Sequence, residues 1–259
     1  MDRKTFLSMA PLAGLMTLGN CGTSGNDEQQ SGDRDYYELR SYLVESEDQV
    51  TGLRNFLKDA AIPALNRIGV EPVGVFQPED SISPVYVLLR YRSLETLATA
   101  TQRLLGDDTY LNDGAGFLDA SPEAPAYTRI ESSLLVAFTG IPQMETPVGG
   151  NDRVFQLRTY ESTSVKRGQK KIEMFNNGEL PIFRKTGLNP VFFGETLVGA
   201  KIPNLTYMVA FENREEQEAS WARFQSDPEW LTLRSLPEYA GIVSNITNII
   251  LNPLDCSQI

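Results

Sequence analysis

The chain has 259 residues, of which 41% are hydrophobic, and its 23 basic and 34 acidic side chains give a net charge of −11. This length and composition are typical of a globular protein with one large domain or two small ones. A surface this acidic repels phosphate backbones, so we expect no nucleic-acid partner.

The sequence contains no histidine and only two cysteines, Cys21 and Cys256. The missing histidine excludes Ser-His-Asp and Cys-His catalysis, histidine-ligated zinc or iron, and histidine-ligated haem. Two cysteines cannot form a disulfide framework or a thiolate cluster, and we expect Cys256 to lie in a frayed tail. We therefore expect no metal and no cofactor, and any acid–base chemistry would use Asp, Glu, Tyr or Lys.

Residues 1–20 have the pattern of an export signal, with a charged start and an apolar run too short to span a bilayer. The start resembles a twin-arginine signal with lysine as its second basic residue, and the end of the run resembles a lipobox before Cys21. We expect an exported periplasmic or outer-envelope protein that is lipid-anchored at Cys21 and touches the membrane only there. The alternatives are plain secretion and a non-cleaved tail. Residues 21–35 are polar and are predicted to be a flexible linker.

One six-residue motif occurs twice, at residues 37–42 (YELRSY) and, 118 positions later, at residues 155–160 (FQLRTY). The similarity continues in chain order. At an offset of 118 it pairs Pro63 with Pro181 and Gly69 with Gly187, and at an offset of 120 it pairs Asp107 with Asp227 and Tyr110 with Trp230. A co-linear series of this kind indicates an internal duplication.

Hydrophobic periodicity predicts the same element order in both copies. In the first copy we predict a strand at 36–44, a helix from 46 interrupted at Pro63, strands at 73–76 and 84–91, a helix at 93–105, an irregular stretch at 106–125 and a strand at 130–138. In the second we predict a strand at 154–160, a helix at 165–185 interrupted at Pro181, strands at 191–194 and 205–211, a helix at 215–225 and a strand at 242–251.

The predicted order β-α-β-β-α-β is that of ferredoxin-like domains, whose helices cover one face of the sheet. The chain then divides into halves at residues 36–140 and 153–259, joined by a linker at 141–152. Two such halves can cover each other's open sheet faces. We therefore predict an α+β fold in which two tandem ferredoxin-like halves pack sheet to sheet as an intramolecular α/β barrel, either as a monomeric pseudo-dimer or as a homodimer.

Alternate side chains of a strand face opposite ways, so each motif has an apolar and a polar face. The apolar face carries Tyr37 and Leu39, and we expect it to pack under the helices. The polar face is expected to line a cavity inside the barrel that binds a small organic ligand, with organic anions among the candidates. Its candidate ligand-binding residues are Glu38, Arg40, Tyr42, Arg158 and Tyr160.

The polar face also has a structural interpretation. Arg40 and Arg158 could bind an anion bidentately, but Arg40 could instead pair with Glu38, and Arg158 with an acid from elsewhere. The tyrosines could donate to a ligand or bury their rings. Glu38, which is Gln156 in the second copy, could act as a base if it were desolvated. No catalytic residue is assigned.

The motifs resemble those of the NIPSNAP family in the dimeric α/β-barrel superfamily, over about residues 36–254. The resemblance is carried by residues 37–42, 155–160, 207–211 and 227–230, and by the Pro63/Gly69 and Pro181/Gly187 pairs. It implies a tandem ferredoxin-like barrel but no single chemistry. We expect an envelope protein that binds a small organic ligand. One alternative is a cofactor-independent monooxygenase or isomerase, and another is a structural envelope protein without ligand, which predicts a filled barrel.

Overall fold

The computed structural model describes residues 34–147, 150 and 152–259. The predicted export signal, Cys21 and nearly all of the predicted flexible linker lie outside the described residues. Within the described part, no helix combines the length and the apolar character needed to cross a membrane.

Both halves of the chain have the predicted element order, with extra short helices. The first half contains β1 (Tyr36–Leu43), α1 (Glu47–Phe56), α2 (Ile62–Arg67), β2 (Val73–Pro78), β3 (Val85–Tyr91), α3 (Leu94–Leu105), α4 (Asp108–Leu118) and β4 (Arg129–Ala137). The second contains β5 (Val154–Glu161), α5 (Val165–Met174), α6 (Leu180–Thr186), β6 (Asn189–Val198), β7 (Asn204–Phe211), α7 (Arg214–Ser226), α8 (Pro228–Arg234) and β8 (Asn245–Pro253).

The eight strands form a closed antiparallel barrel in the order β1-β3-β2-β8-β5-β7-β6-β4. Each half supplies a four-stranded sheet, β4-β1-β3-β2 or β8-β5-β7-β6, which is the ferredoxin-like arrangement. The pairs β2–β8 and β4–β6 join the two sheets, with Phe76 opposite Pro253 and Ala137 opposite Gly194. The predicted fold is confirmed. Closure also removes the unpaired sheet edges that would otherwise expose backbone donors and acceptors.

The inside of the barrel is packed with apolar side chains from both halves. The cluster contains Tyr37, Phe76, Leu88, Leu135, Ala137, Phe155, Leu157, Val191, Phe192, Met208, Ala210, Leu251 and Ile259. Separate clusters lie between each sheet and its own helices. The face of the motif that carries Tyr37 and Leu39 therefore points into the barrel.

The polar face of each motif lies beneath the helices, so the prediction that Glu38, Arg40, Tyr42, Arg158 and Tyr160 line a barrel cavity is wrong. In the first half, Arg40 lies opposite Val87 and Glu38 opposite Leu89, two strand residues that pack against the helices. The prediction assumed that an arginine under a helix lacks partners. Side chains from the helices and neighbouring strands supply those partners, whereas the closed barrel interior is apolar.

The predicted interruptions at Pro63 and Pro181 take the form of short π-helical segments, through which each helix continues without a break. These segments, Leu57–Ala61 and Phe175–Glu179, link α1 to α2 and α5 to α6. A proline lacks the N–H that would bond four residues back. In each half the chain uses the wider turn instead, so that the Ile62 amide donates to the Leu57 carbonyl and the Leu180 amide to that of Phe175.

Two further expectations from the sequence differ from the structure. The stretch predicted to be irregular contains α4, whose start is capped by Asp107 accepting from the Tyr110 amide at 3.1 Å. Gly114 and Gly116 lowered its apparent helix propensity. The tail around Cys256 is not frayed, because the amides of Leu254 and Gln258 donate to the Val75 and Val73 carbonyls, each at 2.9 Å.

Candidate functional site

In the first half, Glu38 and Arg40 form a closed ion pair two residues apart on β1. The Arg40 Nε and one terminal nitrogen donate to the two Glu38 carboxylate oxygens at 2.7 and 2.9 Å. The hydroxyls of Tyr91 and Ser132 donate to the same carboxylate at 3.0 and 2.9 Å. Burial alone would raise the pKa of Glu38, but Arg40 outweighs it and holds that pKa below its ordinary value. This geometry agrees with the structural interpretation of Arg40.

In the second half, the position of Glu38 is taken by Gln156, whose amide is engaged by uncharged partners. Its Nε2 donates to Asn248 Oδ1 at 2.5 Å, and its Oε1 accepts from Trp221 Nε1 at 2.5 Å and from Gln217 at 3.3 Å. These bonds hold the indole of α7 against the outer face of β5. The exchange of Glu for Gln therefore removes the carboxylate that Arg158 would otherwise have two residues away.

Arg158 is consequently a half-buried cation without an acidic partner among the described residues. Its guanidinium carbon lies 4.5 Å from the centroid of the Trp221 ring and 5.4 Å from that of Tyr160. Its Nε is buried and has no hydrogen-bond partner in the described part of the chain. Cation–π contacts orient such a guanidinium but leave its N–H donors available. Arg158 can therefore still bind an anion.

Two tyrosine hydroxyls lie beside Arg158. Those of Tyr160 and Tyr207 are 2.9 Å apart and hydrogen-bond to each other, and their rings meet edge to face at 5.4 Å. Burial raises the pKa of Tyr160, which the charge of Arg158 opposes, and burial raises the pKa of Tyr207 well above its ordinary value. Both phenols therefore stay neutral, and the hydroxyl that accepts in their mutual hydrogen bond keeps its own proton to donate.

Beneath these rings lies a buried ion pair between Lys171 and Glu179, with Nζ and Oε2 2.5 Å apart and side-chain exposures of 5% and 2%. Lys171 Nζ also lies 4.3 Å from the centroid of Phe175. Burial raises the pKa of Glu179, while Lys171 and, to a smaller extent, the charge of Arg158 act in the opposite direction. The side chains of Lys171, Phe175 and Glu179 follow one another at four-residue spacing from α5 into the π-helical segment, so they share one face of the helix.

The sequence-predicted site residues thus separate into two groups. Glu38, Arg40 and Tyr42 lie under the helices of the first half, where the Tyr42 ring meets Tyr127 at 5.8 Å. Arg158 and Tyr160 lie under those of the second. Lys171 and Glu179 were missed. The repeat offers a way to find them, because an offset of 118 places them opposite Leu53 and Ala61.

The sequence comparison finds a family match in the second half of the chain. The NIPSNAP family model matches residues 155–258. This range contains Arg158 with its neighbours Tyr160, Tyr207 and Trp221, which we call the Arg158 cluster. No curated protein is significantly similar to the chain in sequence.

Solved structures share the fold of the whole described chain. A monooxygenase-like protein from Lactobacillus acidophilus is 11% identical, with 85% of this chain and 94% of that one covered at a TM-score of 0.56. A second from Fusobacterium nucleatum, also 11% identical, covers 85% and 93% at 0.55. An anthrone oxidase-like protein is 12% identical and covers 86% and 92% at 0.54. At these identities the likeness shows the fold alone. The sequence match confirms the resemblance to the NIPSNAP family over residues 155–258, in the second half of the chain.

Proposed function

We propose that the protein binds a small organic anion at Arg158, between α7 and the outer face of β5 and β8. The observation that carries the proposal is the half-buried guanidinium of Arg158, which lies on the Trp221 ring and has no acidic partner among the described residues. A planar guanidinium binds a carboxylate through two parallel hydrogen bonds. The aromatic walls suit the organic part of the ligand.

The geometry favours binding over the two alternatives from the sequence. A cofactor-independent monooxygenase or isomerase needs a proton acceptor open to its substrate. Glu38 is held by Arg40 and Glu179 by Lys171, so neither carboxylate is open in this way. The packed barrel interior suits a structural protein, but a structural role gives no reason for an arginine under the second set of helices that forms no ion pair with any described residue.

Tryptophan fluorescence can test the proposal, because the two tryptophans, Trp221 and Trp230, both lie in the second half. We expect benzoate to change the emission of the wild type in a saturable way, and uncharged benzamide, its match in shape, to have no such effect. The Arg158→Met variant should lose the response to benzoate. The Gln156→Glu variant should lose it too, since it recreates the closed pair of the first half.

Arg153 provides the control, since its guanidinium carbon lies 5.9 Å from the Phe155 ring and outside the Arg158 cluster. Arg153→Met should keep the benzoate response. Because the natural ligand could be a different anion, native mass spectrometry should also look for a molecule that co-purifies with the wild type and is missing from Arg158→Met. If neither measurement depends on Arg158, the proposal is wrong.

We also propose that the chain is exported and tethered through Cys21, since an apolar run ends at this cysteine and a polar segment follows. Replacing Cys21 with alanine should prevent the incorporation of radiolabelled palmitate into the protein. A variant that still incorporates the label, or a wild type found in the cytosol, would contradict the proposed export and tethering.

A further inference from the structure

One end of the barrel carries an exposed surface that is both aliphatic and positively charged. It lies where the β6–β7 turn meets the start of α5, and we name it the docking face. It consists of the aliphatic side chains of Val165, Val198 and Ile202 and the cationic side chains of Lys166, Arg167 and Lys201. The three aliphatic residues are 67%, 63% and 54% exposed. Large aliphatic side chains gathered at such exposure mark an interaction surface rather than ordinary scattered exposure.

Backbone contacts make this surface continuous. The Ser162 amide donates to the Pro203 carbonyl at 3.0 Å, and a side chain at Gly168 would lie 3.6 Å from Pro203, so the start of α5 packs against the turn. At the neighbouring start of β8, Ile246 is 47% exposed. The aliphatic side chains therefore belong to elements that are held together, rather than to independent loops.

Two of the three cations of the docking face, Lys166 and Arg167, form no ion pair with a described residue, although the whole chain has a net charge of −11. The third, Lys201, has an exposed side chain and forms an ion pair with Glu161 at 4.0 Å. Arg167 donates to the backbone carbonyls of Ala240 and Gly241, which are uncharged acceptors. Lys166 is exposed and forms no ion pair with another described residue. The face is locally basic on an acidic protein.

We propose that the docking face binds the surface of an anionic lipid membrane. Its aliphatic side chains would enter the boundary between headgroups and acyl chains, and its cations would contact lipid phosphates. A second copy of the chain fits less well, because a symmetric contact would bring the same cations together. From the sequence we expect membrane contact only through a lipid anchor. The docking face lies on the folded barrel instead, and its membrane contact depends neither on that anchor nor on Arg158.

Hydrogen exchange of the full chain can locate this contact. We expect vesicles of equal parts phosphatidylglycerol and phosphatidylcholine to slow amide exchange in peptides that cover residues 161–168 and 196–204. Vesicles of phosphatidylcholine alone should leave these peptides unchanged. The readout is local, so attachment through the N-terminal segment alone does not reproduce it.

Variants make the test specific. Replacing Val198 and Ile202 together with serine, or Lys201 with glutamate, should abolish the slowed exchange in both peptides. The control is Leu105→Ser, which changes a side chain that is 58% exposed on α3 in the other half, and it should retain the effect. The proposal is overturned if anionic vesicles protect neither peptide, or if the Val198/Ile202 variant behaves like the wild type. It is also overturned if protection appears only when an acidic soluble protein is added in place of the vesicles.

Discussion

Replacing Lys171 with leucine is expected to destabilise the protein by about 3–5 kcal/mol, because it leaves the Glu179 carboxylate buried without its counter-ion. Glu179 is only 2% exposed, and Lys171 is its single ion-pair partner among the described residues. Chemical denaturation of the wild type and the variant measures the difference. A loss below about 1 kcal/mol would show that water reaches the carboxylate and that the pair is not buried in solution.

The repeat supplies the matched rescue for this variant. In the first half the corresponding positions hold Leu53 and Ala61, and the same helix forms with its π-helical segment. A Lys171→Leu/Glu179→Ala double variant should therefore recover most of the lost stability, since no unpaired charge remains. If the double variant is as unstable as the single one, the cost comes from packing rather than from the buried, unpaired charge of Glu179.

The single variant should also become more sensitive to alkaline pH. Burial raises the pKa of Glu179, and removing Lys171 removes the main opposing effect. An acid whose folded-state pKa is raised contributes stability below its unfolded value of about 4.3, and this stability is lost as the pH rises through the folded value. We expect the variant to lose more stability relative to the wild type at about pH 8 than at about pH 5.

The duplication made the fold predictable from the sequence. Two aligned copies fixed the element order, and the one-sided cover of each sheet required the halves to close on each other. The helices α4 and α8 were harder to recognise in the sequence than the other elements. Their N-caps, Asp107 for α4 and Asp227 for α8, are nevertheless related by the repeat. Glycines inside α4 and the short length of α8 weakened their periodicity.

The orientation of β1 and β5 could not be predicted in the same way, because both faces of these strands are buried. The alternation of apolar and polar residues shows that two faces exist but not which one meets the helices. The orientation of each strand is decided by the hydrogen-bond partners of its polar side chains, which come from distant positions in the chain. Glu38 is bonded by Ser132 and Tyr91, and Gln156 by Trp221 and Gln217. The difference between Glu38 and Gln156 was visible in the sequence, but its consequence for Arg158 required the structure.

The two arginines of the repeat should therefore respond differently to the same substitution. Arg40→Met is expected to destabilise the protein by about 3 kcal/mol, since it leaves the partly buried Glu38 carboxylate without its counter-ion. The expected loss of stability lies at the low end of the range for buried ion pairs, because the Arg40 side chain is still 26% exposed. Arg158→Met should change stability by less than about 1 kcal/mol, because no described carboxylate loses a partner.

Thermal and denaturant unfolding of both variants at neutral and acidic pH separates these outcomes. The pKa of Glu38 is lowered in the folded state, so its contribution to stability is present above the unfolded value of about 4.3 and is lost as the pH falls through the folded value. The deficit of Arg40→Met should accordingly shrink in acid, whereas Arg158→Met should follow the wild type throughout. A large, pH-dependent loss in Arg158→Met would show that Arg158 has a permanent acidic partner. That result would contradict the proposed anion site, because a guanidinium already neutralised by a carboxylate of the protein has no reason to bind a second one.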